Sequence, residues 1–155
     1  MFDGCPIFAF PLAAGDNPDL EAEPVRWESR FIVLTQACDL ANPRTTRSTV
    51  AVIRDAAELV DAGVVKAQTV RDQIRRHQVY GWYFLPESSV LQVNESLVDL
   101  HQIYTLPRNV LEKLIRAGKR VCSLETPYRE HLAQHFANTY ARIGLPEPYE
   151  TRSTE

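Results

Sequence analysis

The sequence predicts an α+β fold in which a small antiparallel barrel or curled sheet carries inserted and C-terminal helices. Three observations predict it. Short β-branched and aromatic runs recur at Phe31–Leu34, Ser48–Arg54 and Val79–Leu85, with the length and composition of strands. The clearest helical period comes last, where Leu132, Phe136, Tyr140 and Ile143 repeat at helical spacing. Strands and helices do not alternate as βαβ units, which leaves an antiparallel arrangement with helices laid against it.

Taken in order, Cys5–Leu12 reads as a short strand that Pro6 and Pro11 confine to a sheet edge. Ala13–Ser29 carries Gly15, Pro18 and Pro24 among Asp16, Asp19, Glu21, Glu23 and Glu28, and reads as an acidic surface loop. Trp27 is a core or rim aromatic ahead of the next strand. Arg30–Leu40, RFIVLTQACDL, is the stretch around which the chain is organised. Its continuous apolar run is that of a strand buried on both faces, ending in a polar tip with Thr35, Gln36, Cys38 and Asp39. Asn42-Pro43 marks a turn over Ala41–Thr46 before the strand Ser48–Arg54. Asp55 is placed to cap a short helix through Asp61, ended by Gly63.

Thr69–His77 is helical, with Val70 and Ile74 on one face and Arg71, Arg75 and Arg76 on the other. Val79–Leu85 is the third strong strand, with Gly81 as a bulge and Pro86 closing it. Ser89–Val93 and Leu97–Tyr104 pair as a hairpin through Asn94-Glu95-Ser96. Thr105 caps the next helix, with Pro107 in its first turn, Leu111, Leu114 and Ile115 turned inward and Gly118 at its end. Val121–Glu125 is a last short strand. Thr126-Pro127 opens the C-terminal helix, Gly144 and Pro146 stop it, and 150–155 is a frayed polar tail.

The 155 residues suit a single domain over 1–155, and 45% hydrophobic with 24% charged residues argues against disorder. A net charge of -3 provides no global basic field for nucleic acid. Three cysteines at uneven spacing (Cys5, Cys38, Cys122) argue against a disulfide framework and for reduced thiols. MFDGCPIFAF lacks the basic region of a signal peptide, and no apolar stretch approaches the roughly 20 residues of a membrane span. These features read as a cytoplasmic protein with no membrane partner.

Chemistry concentrates at the polar tip. Cys38 becomes a nucleophile only with a base from elsewhere, because Asp39 beside it disfavours the thiolate. His131, His135 and His101 are the candidate bases, with His131 preferred and Gln36 as oxyanion donor. The alternative is that Cys38 is a small buried residue and Asp39 caps a turn. Arg129 lies in the first turns of the C-terminal helix, where the helix dipole does not favour a cation, and Asp39 is its expected ion-pair partner. His131 and His135 have ligand spacing, yet HLAQH lacks the metalloprotease Glu and no CxxC occurs, so no metal or other cofactor is expected. Basic residues gather at Arg71, Arg75 and Arg76 and again at Arg108, Lys113, Arg116, Lys119 and Arg120. With Tyr80, Trp82 and Tyr83 as a stacking face they could follow a nucleic-acid backbone; the preferred reading is a solvated basic face with ordinary core aromatics. A phosphate-cradling glycine loop and a GxSxG elbow are both absent.

VLTQACDL (Val33–Leu40), SLVDLHQIYTLP (Ser96–Pro107) and SLETPYREHLAQHFANTYARIGLP (Ser123–Pro146) resemble a family of small bacterial proteins of uncharacterised function. That family has a TQ-x-CDL strand end and a C-terminal YREHL…R-x-GLP helix, and the resemblance carries no mechanism. More weakly, RFIVLTQ is similar to the early strand of the MazF/PemK toxin fold, an SH3-like barrel with late helices that cleaves or binds RNA. That similarity implies a PemK-like barrel in which Thr35 and Arg30 act on RNA.

Three functions are then expected in turn. The first is a module binding a protein partner or RNA, as in a bacterial defence or toxin–antitoxin pair, with the acidic loop favouring protein. The second is a cysteine-dependent hydrolase or transferase using Cys38, or alternatively a MazF/PemK-like endoribonuclease. The third is a purely structural subunit, marked by stable co-purification with a neighbour-encoded protein; a homo-oligomer is a separate expectation.

Overall fold

The central run forms a strand one place in from the sheet edge. The computed structural model describes residues 1–9 and 22–141, with the backbone alone over 5–9. Five antiparallel strands, β1 (Phe2–Ala9), β2 (Val25–Val33), β3 (Arg47–Asp55), β4 (Trp82–Leu85) and β5 (Ser96–Pro107), lie in the order β1-β2-β3-β5-β4. Among the described residues the edges β1 and β4 do not pair, so the sheet is open rather than a barrel. β4 reaches only the Ser96–Asp99 half of β5 and is too short a ladder for closure. The helices are α1 (Ala37–Ala41), α2 (Ala56–Asp61), α3 (Ala67–Asp72), α4 (Arg108–Arg116) and α5 (Tyr128–Tyr140), with a 3₁₀ turn at Ile74–Arg76.

Both faces of the sheet are covered, as the unbroken apolar run of β2 requires. Ile32, Ala51, Ile53, Tyr83 and Val98 share one face, beneath Leu132 and Phe136 of α5 and the Val121–Leu124 segment. On the reverse, Phe31 and Val50 meet Leu111 and Leu114 of α4, and Phe2 stacks on Phe31 at 5.2 Å. Further along that face Leu97, Trp82 and Phe84 meet Leu59, Val70 and Ile74. α2 is capped as expected: the Asp55 carboxylate accepts from the Ala57 and Glu58 amides at 2.8 and 3.2 Å, and Gly63 takes the left-handed conformation after the helix.

Several expectations are corrected. Val25–Ser29 is strand, not loop, because its backbone pairs with β1 while Arg26 and Glu28 stay exposed. β1 starts at Phe2 rather than Cys5. The tip of the central strand coils into α1. Ser89–Val93 does not pair with β5; an isolated Ser88–Val93 bridge closes a turn there, and β5 is taken by β3 and β4. Thr105 lies within β5, its hydroxyl accepting from Arg47 Nη2 at 2.9 Å, and α4 starts after Pro107 without a capping side chain. Val121–Glu125 is irregular rather than a strand, tied by a Val121 amide bond to the carbonyl of Met1, just ahead of β1, at 3.0 Å, without a ladder. Leu12, most of the acidic stretch, Ile143, Gly144, Pro146 and the 150–155 tail lie outside the described residues. No helix among the described residues is long and apolar enough to cross a membrane.

A candidate docking groove at the end of β2

Where β2 stops, the chain is steered by hydrogen bonds to β3. The Leu34 amide bonds the Thr49 carbonyl at 2.9 Å, and the Thr35 hydroxyl accepts from the Thr49 amide at 2.7 Å. The strand end is thereby pinned and Gln36 enters α1 directly. The Cys38 thiol is exposed and donates to Gln36 Oε1 at 3.7 Å. Facing this tip is α5, whose Arg129, Glu130, Ala133 and Ala137 line one wall, while Leu111 and Ile115 of α4 line the other. Ile32, Leu34, Leu124 and Leu132 complete a mostly apolar groove of about 960 Å³. Ala133 and Ala137, four apart on one helix face, leave the room that larger side chains would fill.

The structure thus brings Thr35, Gln36, Cys38 and Arg129 to one groove. It does not bring His131 there. α5 turns its His131–His135 face away from its Ala133–Ala137 face, so His131 Nδ1 lies 3.4 Å from the Tyr83 hydroxyl instead. No imidazole lines the groove, and Cys38 has no base beside it. The expected Arg129–Asp39 pair does not form. Arg129 is 61% exposed and bonds Glu130 Oε1 at 2.7 Å, its sequence neighbour being the nearer carboxylate. Asp39 is exposed on α1 and in no ion pair among the described residues. Arg30 lies outside the groove, holding β1 to β2 through the Asp3 carboxylate.

The nucleic-acid features disperse likewise. Arg75 is bound to Glu95 and lies over the Phe84 ring at 5.3 Å. Arg108 and Arg116 share Glu112, at 3.1 and 3.9 Å. Trp82 and Tyr83 fall on opposite faces of β4, and Tyr83 is only 1% exposed, so the expected stacking face is not assembled. Among the described residues no three His, Cys, Asp or Glu side chains are placed to hold a metal ion.

Sequence reasoning missed the groove itself. Its available signal was the Ala133–Ala137 pair, which faces away from the histidines and beside Leu132. Because Cys38 is exposed on a five-residue helix, Cys38→Ala should change stability by no more than about 0.5 kcal/mol in urea unfolding. A loss above about 1 kcal/mol would make the residue structural after all. No family model matches the chain, and neither a curated protein nor a solved structure matches it.

Proposed function

We propose that this chain is a binding module that seats an apolar segment of a partner protein in the groove between α4, α5 and the end of β2. The observation that carries this reading is the groove's construction: two helical walls, a mostly apolar lining and small residues along α5. An amphipathic helix with apolar anchors at helical spacing fits such a site. Gln36, Glu130 and Gln134 supply polar contacts at its sides. RNA is the weaker partner, since the arginines of both basic groups are partly neutralised by Glu95 and Glu112. A PemK-like action on RNA has little support, because Arg30 is paired with Asp3 and the Thr35 hydroxyl with Thr49. The cysteine-enzyme reading keeps one observation, an exposed thiol in the groove, and lacks a base there.

Selection of displayed random peptides on the full chain tests the proposal. Peptides with apolar residues at three- and four-residue spacing should be enriched. Ala137→Trp, at an exposed position lining the groove, should weaken them at least about tenfold, or about 1.4 kcal/mol, with the melting temperature unchanged. The reading fails if no peptide is enriched, or if the enriched peptides bind the variant as well as the parent.

A further inference from the structure

The face of α5 opposite the groove carries an imidazole cluster that docking leaves unused. His77, left-handed at φ 55 just after the 3₁₀ turn, stacks on Tyr83 with centroids 4.4 Å apart. The His131 ring meets His77 edge-on at 4.6 Å, and the His135 ring lies 6.1 Å from His77 and 6.4 Å from His131. Tyr80 stacks on His135 at 5.7 Å. His135 is 4% exposed, with Nε2 3.2 Å from the Val79 carbonyl. His77 Nδ1 is buried with no hydrogen-bond partner, so a proton placed there would find no acceptor.

The titratable groups facing these rings are Tyr80 from the turn before β4 and Tyr83 from β4, whose hydroxyl donates to the Tyr128 carbonyl of α5 at 3.2 Å. Among the described residues no carboxylate forms an ion pair with any of the three imidazoles. Burial holds His77 below the ordinary histidine value, and the charges of His131 and His135 hold it lower still. Burial acts the same way on His135, opposed by the Val79 and Trp82 backbones. A folded state that binds protons more weakly than the unfolded chain is fully stabilised above the ordinary value of about 6.5. It loses that stability as pH falls below it.

We propose that the His77–His131–His135 cluster is an acid-released latch on α5: when an imidazole takes a proton, α5 lifts from Tyr83 and the 3₁₀ turn, and the groove on its other face loses a wall and its occupant. The release of an occupant rests on the docking reading; the lifting of α5 does not.

Amide hydrogen exchange of the full chain at about pH 7.5 and about pH 5.5, corrected for the chemical exchange rate, separates the two. Relative to β3, the α5 amides should exchange about tenfold faster at the lower pH. In His77→Asn, which suits a left-handed position, the change should fall below about threefold, and in His131→Gln, which removes one charge facing His77, it should shrink without vanishing. Equal α5 protection at both pH values, or variants that open like the parent, would overturn the latch whatever binds the groove. A selected peptide without His, Asp or Glu should bind about tenfold more weakly at the lower pH, and His77→Asn should bring that difference below about threefold. Unchanged affinity alongside faster α5 exchange would overturn the coupling to the groove. Absence of any binding peptide at the higher pH would instead sink the docking reading and leave the exchange result standing.

Discussion

Leu132→Ala is expected to lower stability by about 2–5 kcal/mol, with urea unfolding as the measurement. Leu132 is 4% exposed and is the fully buried apolar side chain through which α5 reaches the sheet core of Ile32, Ile53 and Val98. Phe136 only half-buries beside it. Beyond the imidazole packing on Tyr83 and His77, α5 is tied by polar contacts: Gly81 donates its amide to Thr139 Oγ1 at 3.3 Å, Tyr83 donates to the Tyr128 carbonyl at 3.2 Å, His135 Nε2 lies 3.2 Å from the Val79 carbonyl, and the Tyr140 hydroxyl donates to the Leu100 carbonyl. Each is worth about 1 kcal/mol net and cannot replace a buried leucine. The alanine would leave a cavity between helix and sheet, because the β-strand backbone cannot collapse to fill it. Since Leu132 also floors the groove, peptide binding should fail in the same variant. A loss below about 1 kcal/mol would mean that α5 is held chiefly by its polar ties.

The parts of this fold that were legible in the sequence are those decided locally. Phe31 and Ile32 are adjacent and both apolar, which only a strand with two covered faces accommodates, and they enter separate cores. Asp55 announces its helix through a carboxylate that reaches amides two and three residues ahead. What misled was decided by partners distant in the chain. Val25–Ser29 looks like loop because its composition is charged, and it is strand because β1 supplies an antiparallel ladder that ignores side chains. β5 was expected to pair with Ser89–Val93, the nearest β-branched run, but β3 offers it a ladder from Arg47 to Asp55.

The site divides in the same way. Thr35, Gln36 and Cys38 cluster because they fall within four residues of one another at a strand end, and this was readable. The expected Cys38–His131 and Asp39–Arg129 partnerships depended on the rotational phase of α5. Leu132 packs on the sheet, placing His131 to one side and Ala133 to the other, so one helix serves two unrelated surfaces. The meeting of His77 with that helix joins residues 54 positions apart from His131, and no local pattern encodes it.

Gly81→Ala is expected to cost about 2–4 kcal/mol, the sum of backbone strain and a broken side-chain contact. Gly81 has φ +88, outside what an L side chain accepts without strain. An added Cβ would lie 2.2 Å from His101 Cε1 and 2.3 Å from Nε2. The exposed imidazole could swing away, but Nδ1 is 3.1 Å from Asp99 Oδ1, and Asp99 is only 4% exposed. Moving the ring therefore leaves a buried carboxylate with the His101 amide, at 3.0 Å, in place of two donors. The same glycine carbonyl accepts from the Leu100 amide at 2.9 Å, where Leu100–Gln102 bulge out of the β3–β5 ladder. The double variant Gly81→Ala/His101→Ala separates the two causes. If the ring contact matters, Gly81→Ala should cost about 1–3 kcal/mol less when His101 is already alanine, because only φ strain is then left. An equal cost in both backgrounds would assign the whole effect to the backbone. In that case the glycine serves the bulge, and through its amide bond to Thr139 the seating of α5, independently of His101.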